Sequence, residues 1–372
     1  MAPEPKKMSI TLMFEDGIVR TDSYVLEELR NGDNLHQKGY VGEPMRRPSY
    51  DDVIKGRGMS FTNHLDMSAY ATAFEISKTM EYLKDPRTEA VVINKHTNPA
   101  VYAARENQVD ALIAALAKDS KSPFGGTMAT SSKLRKKTAE YLVKKNKETK
   151  PGFVLDVLAA PDFEKGSIEL LTGCMKNLRI VNVSKLNIWE KIHAGMLGYN
   201  MKWTIGGKVV ITEVDKTTFF NSSYLMERLS KRQPMNDEII DAHIAWIGAK
   251  AIQSNSFAFV KDATLLAQCG GQTNRVDSAK VAKMRADEFK VSLEGSAAAT
   301  DSFIFDREAI DLLYDMGVTT VVQPTRKLLT TGKLDPDDKI LNAVNEHDMV
   351  MLRPYLVGED GQEKPWRVFR HI

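Results

Sequence analysis

Short β-branched runs alternate with longer stretches whose apolar positions recur every three or four residues, a pattern that predicts α/β organisation. ITLMF, from Ile10, predicts an opening strand. TDSYVLEELRNGDN predicts a helix that Thr21 or Ser23 caps and the Gly32-Asp33-Asn34 turn ends. Residues 68–83 read as a one-sided helix, and 89–94 as a buried strand running into Lys95-His96-Thr97-Asn98-Pro99. A further helix is predicted over about 101–116, before the glycine turn Phe124-Gly125-Gly126. Residues 153–159 and 178–183 read as strands on either side of the helix EKGSIELLT.

A hairpin-like stretch around 206–212 precedes LSKRQPMNDEI, where Pro234 among charges marks a boundary. The expected division is a first α/β domain over 1–230 and a second over 231–372. The second starts with a helix over 237–251, followed by strands at 257–260 and 265–268, a helix over 306–316 and strands at 318–323 and 347–353. NKHTN near 95 and QSNSF near 255 each set polar groups beside an apolar run, a faint sign of duplication.

Composition narrows the function. Lysine and arginine number 51 against 49 acids, a formal charge of +2 over 372 residues, which argues against a nucleic-acid-binding protein. Residues 131–150 are lysine-rich, but no aromatic platform is interleaved, so a solvated helix face is the better reading. Cys174 and Cys269 form no CxxC pair and read as buried thiols in a reducing compartment. No secretory h-region and no run near the roughly 20 residues of a membrane span occur, so a cytoplasmic protein is expected. The seven histidines form no HxxxH pair, so no zinc is expected; no GxGxxG or Walker loop supports a nicotinamide or a nucleoside triphosphate.

Lys95 and His96 end a buried strand, where open α/β sheets place their ligands. Histidine moves protons near neutrality and lysine steadies an oxyanion, although a loop-edge lysine and a carbonyl-bound histidine are equally open readings. Asn34 and His36 follow Arg30 by about one turn and either orient a planar ligand or cap backbone. Asn255 lies between two serines before an apolar strand, and Arg275 follows two glycines and can hold an anion bidentately. Phe303 reads as a ligand-facing or a core aromatic, and Arg367, Phe369 and His371 lie on a terminal strand.

The segments LRNGDNLHQK, INKHTNPA, SPFGGTMA, APDF, QSNSFAFVKD, GGQTNRVDS, TDSFIFDREAID and WRVFRHI, in that order, closely resemble the transformylase half of a bifunctional purine-biosynthesis enzyme. That half formylates 5-aminoimidazole-4-carboxamide ribonucleotide. The resemblance implies two similar cytidine-deaminase-like, three-layer α/β domains without zinc. It implies 10-formyltetrahydrofolate as co-substrate, a structural potassium ion, and a homodimer with shared active sites. It makes Lys95, His96 and Asn255 catalytic, and Arg30, Asn34, His36, Gly125, Arg275, Phe303, Arg367, Phe369 and His371 substrate-binding. Ile304, Phe305 and Glu308 would meet the folate. The motifs begin near residue 29, so the expectation is a stand-alone transformylase with a separate inosine monophosphate cyclohydrolase as a conceivable partner.

Departures from the family pattern touch the nucleotide pocket, at Leu35 and Asn31, and the folate side, at Glu308. Leu35 stands where relatives carry proline, Asn31 where they carry tyrosine, and Glu308 where they carry aspartate. Rival readings are formylation from formate and ATP, and a non-catalytic nucleotide-binding homologue.

Overall fold

The computed structural model describes residues 6–13, 19–29, 37–45, 53–149, 152–192, 199–220, 224–324, 326–327, 334–335, 338–357, 363–366, 368 and 370. Among these, no helix is long and apolar enough to cross a membrane. The chain forms two compact units, Met1–Met67 with Ser132–Thr217, and Ser68–Ser131 with Thr218–Ile372.

In the first unit, strands Lys6–Met13, Val19–Leu29 and Gly39–Pro44 form an antiparallel sheet in that order. The helix expected from Thr21 is therefore a strand. A neighbour pairs with it on each side, and hydroxyl pairs Ser9–Ser23 (2.8 Å) and Thr11–Thr21 (2.9 Å) reinforce its first edge. Cross-strand pairing with the strands just before and just after it overrides the local helical period. Strands Leu155–Ala160 and Arg179–Asn182 run parallel, with Val53–Lys55 antiparallel to the latter. Helix Lys136–Glu148 buries Thr138, Ala139, Leu142 and Val143 and leaves Lys136, Lys137, Lys144 and Lys147 exposed, the solvated face expected of the lysine-rich stretch.

The second unit carries an α-β-β-α-β order twice. The first copy is Ser68–Tyr82, Glu89–Lys95, Asn98–Arg105, Gln108–Leu116 and Gly126–Thr130; the second is Asn236–Ala251, Phe257–Lys261, Thr264–Cys269, Arg275–Glu288 and Ala297–Thr300. The sheet order is palindromic: Ala297–Thr300, Phe257–Lys261, Thr264–Cys269, Asn98–Arg105, Glu89–Lys95, Gly126–Thr130. Its centre is an antiparallel contact of Ala103 with Thr264. Strands Thr320–Val322 and Val350–Val357 extend the second copy in parallel, and Tyr224–Arg228 closes it antiparallel. The helix expected over 101–116 thus begins only at Gln108. Val101, Tyr102, Ala103 and Ala104 are all buried within a strand, so no alternation betrays it.

Helices cover both faces of this sheet. Phe257 and Phe259 join a core with Ala279 and Ala282 of one helix, Ile310 and Leu313 of Arg307–Asp315, and Ile340 and Val344 of Asp338–Glu346. Ala258, out of phase with them, meets Gly248 of helix Asn236–Ala251, where an added Cβ would come within 2.9 Å of its own. That helix buries Asp241 through Ala249, and its Lys250 pairs with the buried Glu75 of helix Ser68–Tyr82 at 3.2 Å.

Both hairpins turn through two left-handed residues: His96 (φ 51°) and Thr97 (φ 66°) in the first copy, Asp262 (φ 50°) and Ala263 (φ 48°) in the second. The counterpart of Asn94–Asn98 is thus 260–264, whereas QSNSF precedes its strand. At the second turn, Asp262 meets Arg87 at 2.7 Å and Arg105 at 2.9 Å, while Asp241 accepts the amides of Asp262 (2.9 Å) and Ala263 (2.7 Å).

Candidate active site

The first hairpin turn presents Lys95 and His96 at the end of a buried strand. A β-branched residue at positive φ, as Thr97 is, is a strained conformation that persists only where its surroundings fix it. Three bonds do so here. The Thr97 hydroxyl (2.6 Å) and the Asn98 amide (3.0 Å) both donate to the His96 carbonyl, and Arg370 Nη1 donates to the Thr97 carbonyl at 2.7 Å. The His96 side chain stays exposed.

Lys95 Nζ donates to the Phe124 carbonyl at 2.5 Å and lies 6.0 Å from the Phe124 ring centroid. The turn that delivers Phe124 needs its glycines: Gly125 has φ +72°, and a Cβ on Gly126 would stand 2.6 Å from the Asn94 carbonyl. Lys95, His96, Asn98, Ser122, Gln272 and Arg285 help line a cavity of about 530 Å³. Cys269 lines it too, but burial raises its thiol pKa, which disfavours the thiolate needed for attack.

Asn255 is the second left-handed residue of interest (φ 58°). Its side-chain amide donates to the Gln272 carbonyl at 2.7 Å, and its carbonyl accepts from Ser278 Oγ at 2.5 Å. Its loop wraps the fully buried carboxylate of Asp301. That group accepts from Ser254 Oγ (2.8 Å), the amides of Asn255 (3.3 Å) and Ser256 (3.1 Å), and Arg275 Nη2 (3.2 Å). Arg275 Nε also donates to Thr300 Oγ1 at 3.0 Å.

Asn255, Arg275, Phe303, Ile304 and Phe305 help line a second cavity of about 200 Å³. The Phe303 and Phe305 rings meet edge to face at 4.5 Å. Ile304 is only 2 % exposed, lies in the hydrophobic core and donates its amide to Gln323 Oε1 at 2.6 Å. Glu308 is exposed in the first turn of its helix, 3.5 Å from Lys280. The two loops are tied together, because the Gln253 amide donates to Asn98 Oδ1 at 3.1 Å.

Lys95, His96, Asn255, Gly125, Arg275, Phe303, Ile304, Phe305 and Glu308 thus all lie in the second unit. Arg30, Asn34, His36, Arg367, Phe369 and His371 lie outside the described residues. Two positioning groups escaped the sequence reading. Asp301 had one signal, an acid ending the apolar strand Ala297–Thr300; Arg370 stands in the quoted WRVFRHI segment, but nothing local assigns it a role, since its partners lie 273 and 119 positions away.

Comparison with known proteins gives the same direction. The chain is 30% identical over 331 residues to the bifunctional purine biosynthesis protein PurH of Persephonella marina, and 29% identical over 333 residues to that of Aquifex aeolicus. Each alignment covers 88% of this chain and 58% of the relative, so the chain spans less than two thirds of their length. The model of the AICARFT/IMPCHase bienzyme family matches residues 10–285, and the chain belongs to that family.

Proposed function

We propose that this chain transfers a formyl group from 10-formyltetrahydrofolate to the 5-amino group of 5-aminoimidazole-4-carboxamide ribonucleotide. The observation that carries the reading is the strained Lys95-His96 turn fastened to the Asn255 loop through the Asn98–Gln253 bond. The substrate amine is weakened by its neighbouring carboxamide and must lose a proton as it attacks the formyl carbon. His96 takes that proton, and Lys95 steadies the oxyanion of the tetrahedral centre. Asn255 aligns the amine and the formyl group. Collapse of the centre breaks the bond to N10 of the folate, which leaves with the proton that His96 returns.

Arg30, Asn34, His36, Gly125, Arg275, Arg367, Phe369 and His371 are assigned to the ribonucleotide. Phe303 is assigned to the ribonucleotide's imidazole, and Phe305, packed edge to face on it, to the folate with Ile304 and Glu308; the cavity that Phe303, Ile304 and Phe305 line supports a flat ligand there. The structural potassium ion that the resemblance implies finds no fit at the buried Asp301 carboxylate, which already accepts from Ser254, the Asn255 and Ser256 amides and Thr300 and pairs with Arg275, so no step is assigned to it. The repeated α-β-β-α-β order supports two cytidine-deaminase-like domains, and the active form is a homodimer sharing its sites. The formylated product is the substrate of a cyclohydrolase reaction.

The test mixes purified protein with the ribonucleotide and 10-formyltetrahydrofolate in potassium buffer and follows formylated product and tetrahydrofolate. No product overturns the proposal; product from formate and ATP alone overturns the donor. His96→Ala should lower kcat by about 10²- to 10⁴-fold while leaving ribonucleotide binding nearly intact. Near-normal turnover in that variant removes the proton-transfer role.

A further inference from the structure

Three bonds fasten the terminal segment to the candidate site. The Val368 amide donates to the Asp301 carbonyl at 3.1 Å, and the Ser254 amide donates to the Arg370 carbonyl at 2.8 Å. The third is the bond from Arg370 Nη1 to the Thr97 carbonyl. The same nitrogen donates to the carbonyl of Ala251, the last residue of helix Asn236–Ala251, where a cation also complements the helix dipole. One residue therefore holds the His96 turn by its side chain and the residue before Asn255 by its backbone.

We propose that Arg370 is a positioning residue for the formyl transfer, a latch that sets the His96 turn against the Asn255 loop. The proposal rests on the formyl-transfer reading above. Thr97 sits at φ 66°, and Arg370 holds its carbonyl from outside the turn; without that bond the two bonds to the His96 carbonyl remain, and the turn departs from this geometry more readily. His96 follows, since it is the other central residue of the same turn. The guanidinium suits the task because it is always charged and its planar fork is rigid, so two carbonyls are held in a fixed relation. A lysine can reach the same acceptors with a looser grip. Arg370 Nη1 donates to two backbone carbonyls, so its removal changes the geometry of the turn and leaves Lys95, His96 and Asn255 in the chain.

The experiment compares wild type, Arg370→Ala and Arg370→Lys in the full chain. A misplacement near 1 Å lowers turnover about 10²-fold, so kcat of Arg370→Ala should fall on the order of 10- to 100-fold, with the ribonucleotide KM changed much less. Arg370→Lys should recover part of the loss, and added guanidinium ion should partly rescue Arg370→Ala. Amide exchange of the peptide holding His96 and Thr97 should be faster in Arg370→Ala than in wild type, while exchange in helix Asp338–Glu346 of the same unit is unchanged. Unaltered kcat, or unaltered exchange at that peptide, overturns the latch. A wild type without formyl transfer sinks the functional reading instead, and the exchange comparison still decides whether Arg370 fixes the turn.

Discussion

Asp301→Asn removes the charge around which the Asn255 loop is built. The carboxylate is fully buried and accepts from five donors, one of them Arg275, whose side chain is 14 % exposed. Neutralising it leaves a nearly buried guanidinium without its counter-ion, a loss of about 3–5 kcal/mol when one partner of a buried pair is removed. The new amide also turns N–H groups toward donors. Arg275→Met is milder, because Asp301 keeps four of its donors and only one charged hydrogen bond disappears, about 1.5–3 kcal/mol. For a unit of this size the Asp301→Asn loss lowers Tm by roughly 6–20 °C. Thermal unfolding by circular dichroism of both variants and the double variant is the assay. Asp301→Asn should be the worse single change, and the double variant should fall short of the sum. If Arg275→Met is equally damaging, or Asp301→Asn melts with wild type, the carboxylate is not the organiser of the loop.

Other expectations follow from single contacts. A Cβ on Gly270 would stand 2.2 Å from the Gln253 carbonyl, so Gly270→Ala must displace the segment leading to Asn255; kinetics should show kcat reduced by at least about tenfold, and unchanged kcat refutes the coupling. Burial pushes the His243 imidazole from 6.5 down to about 4, where it is wedged edge-on against Phe219 and bonded to the Ile239 carbonyl. The unfolded chain takes up that proton first, so stability is complete above pH 6.5 and falls by about 3 kcal/mol as pH drops to 4. Urea midpoints measured across that range should show the loss in wild type and a shallower one in His243→Leu.

The sequence reveals elements whose period matches their burial. Helix Ser68–Tyr82 and strand Glu89–Lys95 are legible because one sets apolar residues three and four apart over about four turns, although it is buried on more than one face, and the other is a short apolar run between turn residues. Strand Val19–Leu29 is not, since partners on both sides make its hydrogen bonds and its own residues satisfy a helical period as well. Helix Arg275–Glu288 escapes for another reason: its buried positions are Ser278, Ala279, Ala282 and Ala286, too small to draw a stripe. At the site, the Lys95-His96 pair and Asn255 were visible as motifs. Asp301 and Arg370 act across long chain separations, and no local pattern encodes that.

The palindromic sheet has a consequence for how stability and chemistry share one polypeptide. Its symmetry creates two equivalent corners, each pairing a left-handed hairpin turn with the loop before the opposite copy's first strand. One corner is riveted shut by Arg87, Arg105, Asp241 and Asp262. The other keeps an exposed histidine on a strained turn. The two demands on such a sheet are thereby divided between twins: one corner carries a cluster of ion pairs beside the central seam, and the other, under the formyl-transfer reading, carries the neutral and backbone fastening that positions its exposed histidine.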